Sequence, residues 1–254
     1  MNPIVLMYHD IFRDSVKESG LADDSADVYK VSEKNFRSHV KAVSDWLENN
    51  NLPKDKVVFT FDDGGVSFLK VAAPILEEYG FIGFFFIITN RIGAEGFLSV
   101  EDILELEKRG HIIGTHSHTH PDNISVLQRQ QIDDEWQKSV SSLNSILGVS
   151  VEYASIPNGY QSNKVLNGAC QSGLRYLYTS TPITKRKKYG DMAVIGRYVV
   201  LQGFSSKDVI KVISNSSFRT YLYLRWSGLN ILHHILGSKY EAIKTRFLKC
   251  FRKG

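Results

Sequence analysis

The most constraining stretch of the chain is Lys56–Gly65, KVVFTFDDGG. Val57, Val58, Phe59 and Phe61 form a short run that is apolar on both faces, with Thr60 inside it. Such a strand needs cover on both sides, as a central strand has in a parallel sheet flanked by helices. Two carboxylates, Asp62 and Asp63, stand where the run ends, and Gly64 and Gly65 follow. Neighbouring side chains on extended backbone point to opposite faces. Both acids can therefore serve one site only if the chain bends there, which two glycines permit. Two such acids can divide a task, one binding a cation and the other taking a proton from water. Taken alone, the stretch reads as a solvated Asp-Gly turn; the rest of the chain changes that reading.

Further strands are expected at Ile4–Tyr8, Gly83–Thr89, His111–Gly114, Val151–Ser155, Arg175–Tyr178 and Ala193–Val200. Helices are expected between them. Phe36, Val40, Val43 and Leu47 mark one over Ser32–Asn49. Another runs through residues 68–79 with Pro74 as a kink or restart. A third begins at Ser99, with Asp102 as a capping acid, and closes at Gly110. The last two cover Ser125–Leu147 and Asn163–Gln171, and residues 13–28 read as a long polar surface loop. Strands alternating with helices argue for an α/β fold with a parallel sheet, closed or wound, and helices outside it. In such barrels chemistry gathers at the carboxyl ends of strands. His9, Asp62, Asp63 and the histidines after Gly114 all fall at those ends.

The segment Gly114–His120, GTHSHTH, holds three histidines in five residues. His116 and His120 are four apart, so a helical turn or tight loop brings both imidazoles to one side. With one carboxylate they make a two-His, one-carboxylate set, which leaves positions open for water and substrate. His118 points elsewhere if the turn is regular. Each histidine alone reads as solvated or hydrogen-bonded; HxxxH together with an upstream Asp-Asp reads as a metal site.

Other classes are narrowed by composition. With 254 residues, 43% of them hydrophobic, the chain can build one sizeable core. Cys170 and Cys250 supply no disulfide framework and no cysteine zinc motif. The opening MNPIVLMYHD lacks the basic flank and apolar length of a secretory signal, and no stretch approaches a membrane span. These features lead us to expect a cytoplasmic protein. The net charge is +4, yet residues 239–254 alone carry six basic side chains and one acid, so the body is close to neutral. Tyr240, Ile243, Phe247, Leu248 and Phe251 are spaced as one face of a basic amphipathic helix, which can pack on the domain or lie on the inner face of a membrane. The run Lys185–Lys188 reads as a solvated loop, and no motif for nucleic acid accompanies these charges.

TFDDG at Thr60–Gly64 followed by His116-Ser117-x-x-His120 resembles the polysaccharide deacetylases of the NodB homology type, carbohydrate esterase family 4. The resemblance covers roughly residues 1–205 and extends to EKRGHIIGTHSHTHPDNISVL and SSLNSILGVSVEYASIPNGY. VLMYH at the start is similar to members in which the catalytic-histidine motif lies at the amino end, an order permuted relative to others. The resemblance implies a distorted (β/α) barrel over residues 1–205, with a helical, basic extension over 206–254. It implies that Asp63, His116 and His120 bind one divalent metal ion, expected to be zinc. Asp62 would be the general base and His9 the general acid. The backbone N–H of Asn158 would hold an oxyanion, and Tyr8 is a further candidate for supporting these groups. Many members carry an arginine two residues before the Pro of the Pro-x-Gly segment, where this chain has Ser155; Arg197 is the candidate for supplying that cation to the base. The implied reaction is removal of an N-acetyl group from an amino sugar in a polysaccharide, glycan precursor or lipid-linked sugar. A deformylase acting on a lipid-linked amino sugar, and a carbohydrate-binding module with a decayed site, remain as alternatives.

Overall fold

The computed structural model describes residues 2–236. The amphipathic basic segment at residues 240–251 lies outside them. The chain begins with β1 (Ile4–Tyr8), then β2 (Ile11–Phe12) and β3 (Val31–Ser32), which pair with each other beside the main sheet. Next come α1 (Glu33–Asn49), β4 (Val57–Phe61), a wide π-turn at Phe68–Ala72, α2 (Ala73–Glu78) and β5 (Gly83–Ile87). They are followed by α3 (Val100–Lys108), β6 (Ile112–Thr115), α4 (Arg129–Leu147), β7 (Tyr153–Ser155), α5 (Asn163–Gln171) and β8 (Tyr176–Tyr178). The described chain ends with β9 (Lys187–Tyr189), β10 (Met192–Ile195), β11 (Tyr198–Val199), α6 (Ser206–Ser214) and α7 (Ser216–Leu236).

The main sheet runs in the order β11-β1-β4-β5-β6-β7-β8-β10-β9, parallel throughout except for the β9–β10 pair. Its closure follows from connectivity. β10 lies next to one edge and β11 forms the other, yet only Gly196 and Arg197 separate them in the chain. Two residues can join opposite ends of a sheet only if the sheet curls until those ends nearly meet. Backbone bonds from Arg197 N to Thr181 O (3.0 Å) and from Val200 N to Met7 O (2.9 Å) pin the seam. The fold is thus the expected distorted (β/α) barrel, closed by a covalent crossing.

Strand periodicity sends the side chains to two faces of the sheet, and a separate cluster around Trp136, Val165 and Leu177 packs α4 and α5 on its far half. Leu6 and Tyr8 of β1 and Phe59 and Phe61 of β4 face the helices, where they pack with Phe36, Phe68 and Phe85. Val5, Phe86, Tyr178 and Ile195 form a smaller cluster on the other face, inside the barrel. α1 starts where Ser32 accepts a bond from Asn35 N, and α3 where Ser99 and Asp102 form the expected capping box. α6 buries Val209, Val212 and Ile213 in the same core as β1 and β4, so the first helix beyond residue 205 belongs to the same packed unit.

Several boundaries differ from those expected. The strand expected over Ala193–Val200 is two strands, because the chain crosses the seam at Gly196–Arg197. The long helix begins at Arg129; a short 3-10 turn at Ile124–Val126 precedes it and Gln128 caps it. Lys187 and Lys188 are not in a loop but on the exposed edge strand β9. A two-residue bridge such as β2–β3 is too short to leave a periodic signal. The loop at 13–28 is not wholly superficial: Ser19 and Asp27 are buried in it.

The seam leaves no room for a side chain at Gly196. A Cβ there would lie 2.4 Å from Thr181 O and 2.5 Å from Ile183 O, both backbone atoms. Gly196→Ala is expected to cost about 1–3 kcal/mol. That lowers the melting temperature by about 3–10 °C in a thermal circular-dichroism melt. An unchanged melt would refute this account of the closure.

Candidate active site

The inward-facing residues at the carboxyl ends of the strands converge on one pocket. The register pairs Tyr8 with Phe61, so the next residues, His9 and Asp62, are neighbours across β1 and β4. Asp63 would point the other way if the strand continued. It does not, because Asp63 has φ 87° and Gly64 φ 88°. The bend therefore begins at Asp63 itself, one residue earlier than the glycines suggested. Positive φ is unfavourable for a side chain such as Asp63's, and Ser117 (φ 64°), His120 (φ 56°) and Asn158 (φ 54°) share it. Such backbone cost is characteristic of sites that demand a particular geometry.

Asp63, His116 and His120 present one ligand atom each, all within 4.8 Å of one another. Asp63 Oδ1 lies 3.5 Å from His116 Nε2 and 3.6 Å from His120 Nε2. These separations are long for hydrogen bonds but suit a shared ion. Tetrahedral zinc with bonds of about 2.0–2.2 Å holds its donor atoms about 3.3–3.5 Å apart. His116 Nδ1 faces Ser155, 2.6 Å from its Oγ and 3.1 Å from its backbone O. This network puts the imidazole proton on Nδ1 and turns the bare Nε2 toward Asp63. The loop between the two histidines is held by Glu135 of α4, which accepts bonds from His118 N (2.9 Å), Thr119 N (2.8 Å) and Thr119 Oγ1 (2.6 Å). His118 turns away, 2.9 Å from Thr89 Oγ1.

Asp62 is gripped by Arg197, which is completely buried. Nη1 donates to Oδ1 and Nη2 to Oδ2, each at 2.7 Å. Arg197 also donates to Thr179 O and Thr60 Oγ1, both at 3.2 Å, and lies over the Phe86 ring. Ser155 Oγ adds a third bond to Asp62 Oδ1 at 3.0 Å. Oδ1 thus has two donors and Oδ2 has one, with Oδ2 3.9 Å from His116 Nε2. Burial alone would raise the Asp62 pKa; the charge and hydrogen bonds of Arg197, with His116 and His9 beside it, together hold the carboxyl well below the usual range. Asp63 behaves oppositely. Burial, then the neighbouring Asp62 and Asp10 carboxylates, push its pKa well up.

His9 is half-buried and rests against the Tyr29 ring, with centroids 4.8 Å apart. Its Nδ1 is buried without a hydrogen-bond partner among the described residues. Burial lowers its pKa to about 4, against the attraction of Asp62, and lowers that of His116 to about 3. Asn158 follows β7 in a left-handed turn, and its side chain donates to Asp122 O (3.2 Å), just past His120. Tyr8 must be removed from the candidates. It is completely buried among Phe36, Phe59 and Phe61, with its hydroxyl 3.3 Å from His39 Nδ1. Adjacent strand residues cannot both face the pocket, and His9 does.

Ser155, Glu135 and Asp10 were not among the candidates. Asp10 is buried beside the pocket, accepting bonds from Ser19 Oγ (2.6 Å) and Ser67 Oγ (2.9 Å). Its only signal in the sequence was its place after His9. Ser155 stood out only as an expected arginine that was missing, and Glu135 gave no signal.

A family model described as polysaccharide deacetylase matches residues 49–177, half of the chain. YxkH of Bacillus subtilis strain 168, named for the same family, is 26% identical over 219 residues, which cover 79% of this chain and 72% of YxkH. A Staphylococcus aureus protein named poly-beta-1,6-N-acetyl-D-glucosamine N-deacetylase is 26% identical over 179 residues, 58% of this chain and 60% of its own length. Among solved structures, the Streptococcus pyogenes deacetylase PplD shares the fold with TM-score 0.68 and 22% identity, over 84% of this chain and 99% of PplD. IcaB from Ammonifex degensii shares it with TM-score 0.64 and 20% identity, over 84% of this chain and 96% of IcaB.

Asp63 gives the site a signature that can be measured. Its folded-state pKa lies above the unfolded value, so its contribution to stability is full at low pH and is lost as pH rises through the folded pKa. Without a cation, Asp63 makes the fold less stable at neutral pH than at low pH. Asp63→Asn should therefore raise the melting temperature of chelator-treated protein at pH 7.5 by a few degrees, and by less at pH 5. Zinc should raise the melt of the wild type and not of the variant. A chelated variant that melts at or below the wild type would count against this.

Proposed function

The chain belongs to the polysaccharide deacetylase family of hydrolases, and we propose that it hydrolyses the N-acetyl amide of amino-sugar residues at a divalent-ion site formed by Asp63, His116 and His120. The observation that carries this reading is the spacing of the Asp63 oxygen from both imidazoles, near that of a zinc ligand set, beside an ionised carboxylate held by arginine. Two imidazoles and one carboxylate suit zinc and leave positions open for substrate. A bound ion would acidify a water molecule and polarise the acetyl carbonyl.

The remaining work falls to the chain's own side chains. Asp62 accepts the proton of the attacking water at Oδ2, the oxygen with one donor. Arg197 keeps Asp62 ionised and aimed, and the low basicity this imposes lets Asp62 pass the proton on. His9 is neutral at rest, and its neighbour across the strands is Asp62. It takes the proton as negative charge builds beside it and delivers it to the departing nitrogen, which leaves poorly as an anion. The backbone N–H of Asn158, in its left-handed turn at the rim, is the proposed donor to the oxyanion. The staphylococcal relative's name supports an N-acetylglucosamine polymer as the substrate class, and with it a place in exopolysaccharide or cell-envelope glycan synthesis.

The assay is acetate release from β-1,6- and β-1,4-linked N-acetylglucosamine oligomers by the zinc-loaded chain. Turnover should vanish with chelator and return with zinc. Asp62→Asn should lower kcat by about 10³-fold, within the range for loss of a general base. Formate release from an N-formyl sugar without acetate release would favour a deformylase. Tight glycan binding with no turnover would favour a binding module.

A further inference from the structure

Ser155 is completely buried at the end of β7, and its side chain touches both halves of the pocket. Its Oγ lies 2.6 Å from His116 Nδ1 and 3.0 Å from Asp62 Oδ1. A hydroxyl has one proton to donate and lone pairs to accept with. An ionised Asp62 can only accept, so the Ser155 proton goes to Oδ1. The Ser155 oxygen is then left to accept, and the donor within reach is Nδ1–H of His116. The bonds run in one direction, from His116 through Ser155 to Asp62, and Arg197 closes the chain from beyond.

We infer that Ser155 is a positioning residue that ties the ion site to the catalytic base. It holds His116 with Nε2 bare toward Asp63, and it holds Asp62 with Oδ2 turned to the same side. The inference rests on the ion site proposed above. The backbone carbonyl of Ser155, 3.1 Å from Nδ1, is a second acceptor that survives loss of the hydroxyl. The effect on ion binding is therefore partial, while Asp62 loses its serine bond outright.

Zinc affinity of the full chain, measured by chelator competition without substrate, gives a readout independent of turnover. Ser155→Ala should weaken zinc binding about tenfold, the lower end of the range for partners of metal-bound histidines. At saturating zinc, kcat should fall while KM stays unchanged. Because the site is tightly packed, a matched pair separates the hydroxyl from the packing. Ser155→Thr keeps the hydroxyl, and Ser155→Val has the same shape without it. The threonine variant should bind zinc about tenfold more tightly than the valine variant, even if both melt early. Equal zinc affinity in that pair, or Ser155→Ala matching the wild type, would overturn the role of Ser155. Failure of the wild type itself to bind zinc would overturn the ion site, a distinguishable result.

Discussion

The interaction on which the structure depends is the buried pair between Asp62 and Arg197. Burying two charges is expensive, and their attraction repays it only with good geometry and with the remaining donors satisfied. The geometry here is good: the contact is bidentate, and four of the five Arg197 N–H donors have partners, two on Asp62 and one each on Thr179 O and Thr60 Oγ1. The pair also joins architecture to chemistry. Arg197 belongs to the two-residue crossing that closes the barrel, and Asp62 ends a central strand. The residue that seals the seam is therefore the one that aims the proposed base. A disturbance of the seam would be felt at the site before it unfolded the sheet.

Much of this was legible in the sequence because it is local or periodic. Apolar runs marked β1, β4 and β5, and the Ser99–Asp102 cap marked α3. The strand-end position of Asp62, Asp63 and His116 followed from where those runs stop. Arg197 could be nominated because no other lone arginine falls at a plausible strand. What was not legible depends on parity or on distant partners. Tyr8 sits beside His9, and a strict alternation count along β1 would have sent it to the helix-facing core. The split of the last strand had only Gly196 as a local mark. Glu135 looks like any acid on a helix until the histidine loop folds over it.

The charges buried in the pocket bear on the proposed ion site. Asp10, Asp62 and Asp63 are buried together, and the buried cations near them are Arg197 and Lys30. Arg197 is committed to Asp62. Lys30 donates to the backbone carbonyls of Val16 and Ser19, and its field acts on Asp10 and Asp63 alike without offsetting burial, so both pKa values stay raised. Asp10 accepts bonds from Ser19 and Ser67, whereas Asp63 faces the two imidazoles. The two imidazoles beside it are held neutral by burial and so cannot supply the missing charge.

The backbone around Asp63 shows the same demand from another side. Asp63, Ser117 and His120 all adopt positive φ, and no single one of these turns is an easy conformation for its residue. The two in the histidine loop are held by neighbours: Glu135 across the loop, and the bond from His120 N to Ser117 Oγ at 3.2 Å. A fold that maintains unfavourable backbone to gather a buried carboxylate and two neutral imidazoles fits the ion site proposed above. On that proposal, stability without the ion and affinity for it are opposed: a change that relieves Asp63 strengthens the fold and weakens the site.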